Sequence, residues 1–130
     1  MAAMTRFLWI CLGGAAGTGA RYLLSGWLLR AAGPGFPWGT LAVNVIGSFL
    51  LGLLMQIALA TDLFSPTLRL ALTTGVMGGF STYSTFNYET LQYFQQNDWL
   101  LGAANVAATV IVCLAAGGLG VVAGRLLAGS

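Results

Sequence analysis

The residues in this 130-residue chain that could do chemistry are neutral hydroxyls and amides, and they fall into three sets. The densest is Thr73-Thr74-Gly75-Val76-Met77-Gly78-Gly79-Phe80-Ser81-Thr82-Tyr83-Ser84-Thr85-Phe86-Asn87-Tyr88-Glu89. Adjacent glycines followed by Ser-Thr read as the C-terminal end of one half-helix and an N-cap for a second. Such a break frees carbonyls on one side and N–H groups on the other, tolerated at membrane depth only where they face protein, water or an ion. Carbonyls around Gly78 to Ser81 could hold a monovalent cation, and the following half-helix presents partial positive charge toward an anion. The competing reading is a glycine kink whose hydroxyls bond back to the preceding turn. The second set is Thr40, Asn44 and Ser48, and the third Asn105, Thr109 and Cys113, each at i, i+4, i+8 on one helical stripe. Asn44 needs partners for both ends of its amide, and an interhelical bond is the simplest supply. Two stripes of neutral donors on different helices also suit the wall of a path.

Several chemistries fall away. The chain has no His, and Cys11 and Cys113 lie far apart in sequence, which removes zinc centres, a His general base and a Cys-His nucleophile. No enzyme is expected. The net charge of +2 comes from scattered arginines and leaves no footprint for nucleic acid. A proton-coupled carrier needs an acidic residue within a span, where Glu89 is the single candidate, and a cation pore would prefer carboxylate rings. Uncharged donors, the ring edges of Tyr83 and Phe86, and Arg21 suit a small anion, because the positive edge of an aromatic ring can face negative charge.

The elements that position these residues follow from composition. Only 6% of residues are charged and 58% are apolar, where a water-soluble surface uses roughly a quarter charged. The chain reads as an all-α membrane protein. A span takes about 20 apolar residues, and four such runs occur, at about 7–29, 39–60, 68–94 and 99–127, the third being the broken one. Residues 1–130 thus form a single multi-pass integral domain in a lipid bilayer. Trp9, Trp27, Trp38 and Trp99 fall near span ends, where amphipathic rings favour the headgroup level. The first run holds Arg21 and lacks a small-residue cleavage site, so it reads as a true span and not as a signal peptide. Arg6, Arg69 and Arg125 collect on one side and Arg30 on the other, a weak topogenic bias compatible with insertion in both orientations and an antiparallel homodimer. Gly13/Gly17, Gly75/Gly79 and Gly120/Gly124 are small-xxx-small pairs that bring helices close, within one subunit or between two.

Gly17-Thr18-Gly19-Ala20-Arg21-Tyr22, Pro37-Trp38-Gly39-Thr40-Leu41-Ala42-Val43-Asn44, and above all Gly78-Gly79-Phe80-Ser81-Thr82-Tyr83-Ser84-Thr85-Phe86 with Glu89 resemble the Fluc (CrcB) fluoride channels over essentially the whole chain. The resemblance implies passive export of toxic fluoride across the bacterial inner membrane by an antiparallel, dual-topology homodimer with two pores. It implies a structural sodium ion at the dimer centre, held by backbone carbonyls that map to Gly78 and Ser81. The family's two pore phenylalanines map to Tyr83 and Phe86, its span-two asparagine to Asn44, its vestibule arginine to Arg21, and its polar track to Ser84, Thr85, Asn105, Thr109 and Cys113. Thr40 joins these on the Asn44 stripe, and Glu89 matches an acidic residue near the other pore end. Tyr83 departs from the usual Phe, and Asn105 from a larger aromatic or imidazole donor. Two other readings are a four-span proton-coupled multidrug carrier, which would need an acid in the first span where Arg21 stands, and an accessory subunit of a larger membrane complex, which leaves the hydroxyl-rich break without a purpose.

Overall fold

The computed structural model describes residues 2–129, and among these every regular element is helical. Helix α1 (Ala2–Ala32) ends at Gly33, whose φ of +80° is open to glycine at little cost, and the Pro34 to Pro37 segment turns the chain into α2 (Trp38–Ala60). Helix α2 stops at Thr61, whose hydroxyl bonds back to the Ile57 carbonyl. Ser65 then caps α3 (Pro66–Leu70), its Oγ accepting from the Leu68 N–H at 3.2 Å with Pro66 in the first helical position. The chain continues through a π-helical stretch, Ala71–Met77, into the single turn α4 (Gly78–Phe80). After Ser81 and Thr82 helix resumes as α5 (Tyr83–Gln95). Asn97 ends it in the left-handed region, φ 60°, and the bonds from Asn97 N–H to Phe94 and Asp98 N–H to Tyr93 close a Schellman turn into α6 (Trp99–Ala128).

Glycines decide which helices touch. A Cβ on Gly13 would lie 2.5 Å from the Ala71 carbonyl oxygen, and one on Gly79 would lie 2.5 Å from that of Gly14. A Cβ on Gly17 would overlap the Val76 carbonyl. Helix α1 therefore packs backbone against backbone on the π-helical stretch and α4. On the other side Gly52 and Gly120 seat α2 on α6, with a Gly52 Cβ 2.5 Å from the Gly117 carbonyl and one on Gly120 overlapping that of Phe49. The three pairs at one-turn spacing are thus used within one chain.

The interior is small. Val43, Met77 and Phe80 form its buried centre, while Phe7, Leu12, Leu23, Leu100, Leu114 and Leu126 are among many large apolar residues that face outward. The accessible surface of 7898 Å² exceeds the roughly 6,500 Å² of a soluble monomer this size. Helices α2 and α6 are each long and apolar enough to cross a membrane, and a structure whose outside is richer in large apolar side chains than its inside belongs in one.

Candidate functional site

The site is built around the two non-helical residues between α4 and α5. Ser81 and Thr82 adopt extended backbone, with ψ of 154° and 122°. The interruption therefore falls two residues after the Gly78-Gly79 pair, which stays right-handed helical. Ser81 remains tied to the turn before it, because its N–H and its Oγ both donate to the Met77 carbonyl, at 3.1 and 3.0 Å. That back-bonding is the arrangement a mere kink would use, but here it coexists with a true interruption. Thr82 leaves the helix altogether. Its N–H donates to Asn44 Oδ1 at 2.7 Å and its carbonyl accepts from Asn44 Nδ2 at 3.0 Å. The amide of Asn44 thus pairs with one residue's backbone as a neighbouring β-strand would, and satisfies both groups that the break exposes. In regular helix the Thr82 N–H would close on the Gly78 carbonyl. Turned to Asn44, it leaves that carbonyl without its helical donor.

Two further contacts fix the flanks. Arg21 on α1 donates Nε–H to the Gly79 carbonyl at 2.9 Å, capping the carbonyl end of the first half-helix. On the other flank Thr82 caps α5, its Oγ1 accepting from Thr85 N–H, donating to Thr85 Oγ1 and sharing a bond with Ser84 Oγ, each at 3.3 Å.

Two cavities meet at Thr82. The first, of about 400 Å³, brings together Arg21, Thr40, Thr85 and Glu89, walled by Trp38, Tyr22 and Phe36. Thr40 and Glu89 line it together, and Glu89 Oε1 is buried without a hydrogen-bond partner. A smaller space toward Gln92, Tyr93 and Gln96 continues from Glu89 to the end of the molecule where Tyr93 Oη donates to the Gly35 carbonyl at 3.3 Å. The second cavity is a groove of about 450 Å³ lined by Asn44, Ser48, Ser81, Tyr83, Phe86, Thr109 and Cys113. Ser48 on α2 and Cys113 on α6 both contribute to its wall. Tyr83 sets its ring against Phe86 at 5.6 Å and 63°, edge to face, with Tyr83 exposed and Phe86 buried. Thr109 Oγ1 is buried in this wall without a partner, an uncommon state for a hydroxyl that could bond back to its own helix.

Residues 8–121 match the family described as CrcB-like protein, Camphor Resistance (CrcB). The chain belongs to the CrcB family. It is 62% identical over 127 residues to a protein of Sorangium cellulosum named fluoride-specific ion channel FluC, covering 97% of this chain and all of that one. Proteins of the same name from Anaeromyxobacter dehalogenans and Geobacter sulfurreducens are 56% and 51% identical, over 97% and 95% of this chain and the whole of each relative. The family is one of channels, not of enzymes.

Within this CrcB chain most of the expected site residues gather at the two cavities, and Gly78, Ser84 and Asn105 do not. Ser84 points outward beside Thr82. Asn105 is 1% exposed and donates from Nδ2 to Thr90 Oγ1 at 2.9 Å, while Thr90 donates to the Phe86 carbonyl at 2.8 Å. That chain of bonds fastens α6 to α5 behind Phe86, outside either cavity. The residue that sequence reasoning undervalued is Thr82, read as a cap alone. The signal was available in Asn44, whose two amide ends had to find a donor and an acceptor together.

Proposed function

We propose that this chain is a passive fluoride channel in the bacterial plasma membrane, working as an antiparallel dual-topology homodimer whose four crossings per subunit include a third, broken one. The relatives' names support the ion. The observation that carries the reading is the convergence of two cavities on one clamped residue, Thr82: a groove lined by neutral hydroxyls, an amide and ring edges, with the Thr109 hydroxyl buried in it without a partner, and a cavity in which Thr40 and Thr85 stand with Arg21 and Glu89. A small anion leaving water needs donors to replace its hydration shell, and hydroxyls, amides and ring edges supply them without the deep trap a full positive charge would make. The pathway residues are Asn44, Tyr83, Phe86, Thr85, Arg21, Thr40, Glu89, Thr109 and Cys113; Ser84 and Asn105, which line neither cavity, are included on the sequence pattern and the family resemblance. Flow is downhill, so cytoplasmic fluoride leaves whenever the gradient points outward.

Sodium fits the break. The Gly78 carbonyl, deprived of its helical donor, and the Ser81 carbonyl of extended backbone are the hard oxygen donors such an ion prefers. Those of two copies would hold it, and the ion would supply fixed positive potential at the centre. The second copy also answers the outward apolar surface of α1 and α6.

In liposomes loaded with potassium fluoride or chloride, the purified protein is expected to release fluoride, read with a fluoride electrode, and to release little chloride. Equal release of both anions overturns the proposal.

A further inference from the structure

Among the described residues, Arg21 is the one charged side chain bonded to the backbone of the break. Its family position suggests a cation that draws anions into a vestibule, yet its bond tells a different story about what it does. The contact runs through Nε, the inner nitrogen of the guanidinium, at 2.9 Å to the Gly79 carbonyl. That carbonyl lies in the last turn before the break, where a helix has no N–H left to satisfy it. One turn earlier on α1, Gly17 and Thr18 press against α4: a Cβ on Gly79 would lie 3.0 Å from Thr18 Oγ1, and one on Gly17 would lie 2.9 Å from the Phe80 N–H nitrogen. Helix α1 and α4 are therefore locked at that level, and Arg21 extends the lock to the last peptide units. Asn44 holds the far flank at Thr82, leaving only Phe80 and Ser81 between the two clamps.

We infer that Arg21 is a positioning residue: its Nε–H, more than its charge, sets the orientation of the peptides leading into Ser81 and Thr82 and hence the place of Tyr83 and Phe86 in the groove. The inference goes beyond the channel reading and uses it only for a readout.

Side-chain length separates hydrogen bond from charge. Gln Nε2 stands the same number of bonds from Cα as Arg Nε, Met has that length without a donor, and Lys keeps the charge with its donor one bond farther out. The experiment compares R21Q, R21M and R21K in liposomes, each taken from the monodisperse fraction and measured for fluoride efflux across fluoride concentrations. Expected is a maximal flux in R21Q that stays above that of R21M by about tenfold, the factor that loss of one hydrogen bond is worth, with half-saturating fluoride the same in the two variants. The inference is overturned if R21K retains wild-type flux while R21Q falls with R21M, if the losses appear only at low fluoride, or if all three variants match the wild type or all three fail. Thermal unfolding of the same samples is expected to rank R21Q above R21M. That ranking is read whether or not the wild type conducts fluoride, so failure of the channel reading and failure of the positioning role are distinguishable.

Discussion

Replacing Asn44 tests the clamp on which the site depends. Asn44→Ala removes one acceptor and one donor at once, and leaves the Thr82 N–H and carbonyl, bonded at 2.7 and 3.0 Å in the native chain, facing a partly buried gap. Orphaning a buried backbone group costs about 1–3 kcal/mol in soluble proteins, but interhelical side-chain bonds in membranes average nearer 0.6 kcal/mol, with a ceiling of about 1.7. Two such bonds give an expected loss of about 1–3 kcal/mol. Asn44→Leu separates bonding from packing, since Leu fills the space with no polar atom. Both variants are expected to lose the same stability, read by denaturant titration in detergent micelles with the fluorescence of Trp9, Trp27, Trp38 and Trp99 as the signal. Fluoride flux should fall in both, because an unclamped Thr82 no longer fixes the start of α5. Full stability in N44L with loss only in N44A would show that Asn44 fills a hole and clamps nothing. A change under about 0.5 kcal/mol in both, the range of inert surface substitutions, would refute the reasoning outright.

Two other substitutions probe separate parts of the structure. Thr109→Val removes a buried hydroxyl that has no partner at nearly constant shape, so stability should hold or rise by up to about 1 kcal/mol while fluoride flux drops; unchanged flux would take Thr109 off the pathway. Gly17→Ala places a methyl group into the Val76 carbonyl, a contact with backbone that no rotamer change relieves, and should cost about 1–3 kcal/mol, against little effect for Gly19→Ala, where a Cβ meets nothing; equal unfolding curves for the two would place the α1–α4 contact elsewhere.

What could be read from the sequence was whatever is encoded locally. Span limits are local: an apolar run of about 20 residues marks a helix wherever it packs, and the runs read at about 39–60 and 99–127 coincide with α2 and α6 to within a residue. The two polar stripes are local too, since spacing of four places residues on one face wherever that helix goes. Spacing does not say what the face meets. Asn44 finds the backbone of a residue 38 positions away, and Asn105, on a stripe indistinguishable by pattern, finds Thr90 and is buried away from both cavities. The π-helical stretch Ala71–Met77 has no signature in composition, although the hydroxyl of Thr73 bonding back to the Arg69 carbonyl at 2.7 Å is a physical mark of a loosened turn. The glycine pairs announced close approach without naming the partner. Only the fold shows that Gly13 is spent against Ala71 and Gly75, and Gly17 against Val76 and Phe80, inside one chain.

The break also shows why so few charges suffice. A severed helix has a negative carbonyl end and a positive N–H end, and the two are treated differently here. The carbonyl end receives Arg21 at Gly79, so one full charge is bound to backbone at the rim of the first cavity. The N–H end receives only the hydroxyl of Thr82, which takes the Thr85 N–H and leaves the first turn of α5 with its partial positive charge directed to the clamped segment. A neutral amide holds the two ends together. Had Asn44 been Asp or Lys, the same geometry would carry a full charge beside the groove of Tyr83 and Phe86, repelling an anion in one case and trapping it in the other. An amide is the side chain that donates and accepts at once without doing either, and this places the chemistry of a small anion's path in the choice of residue 44 as much as in any group the ion would touch.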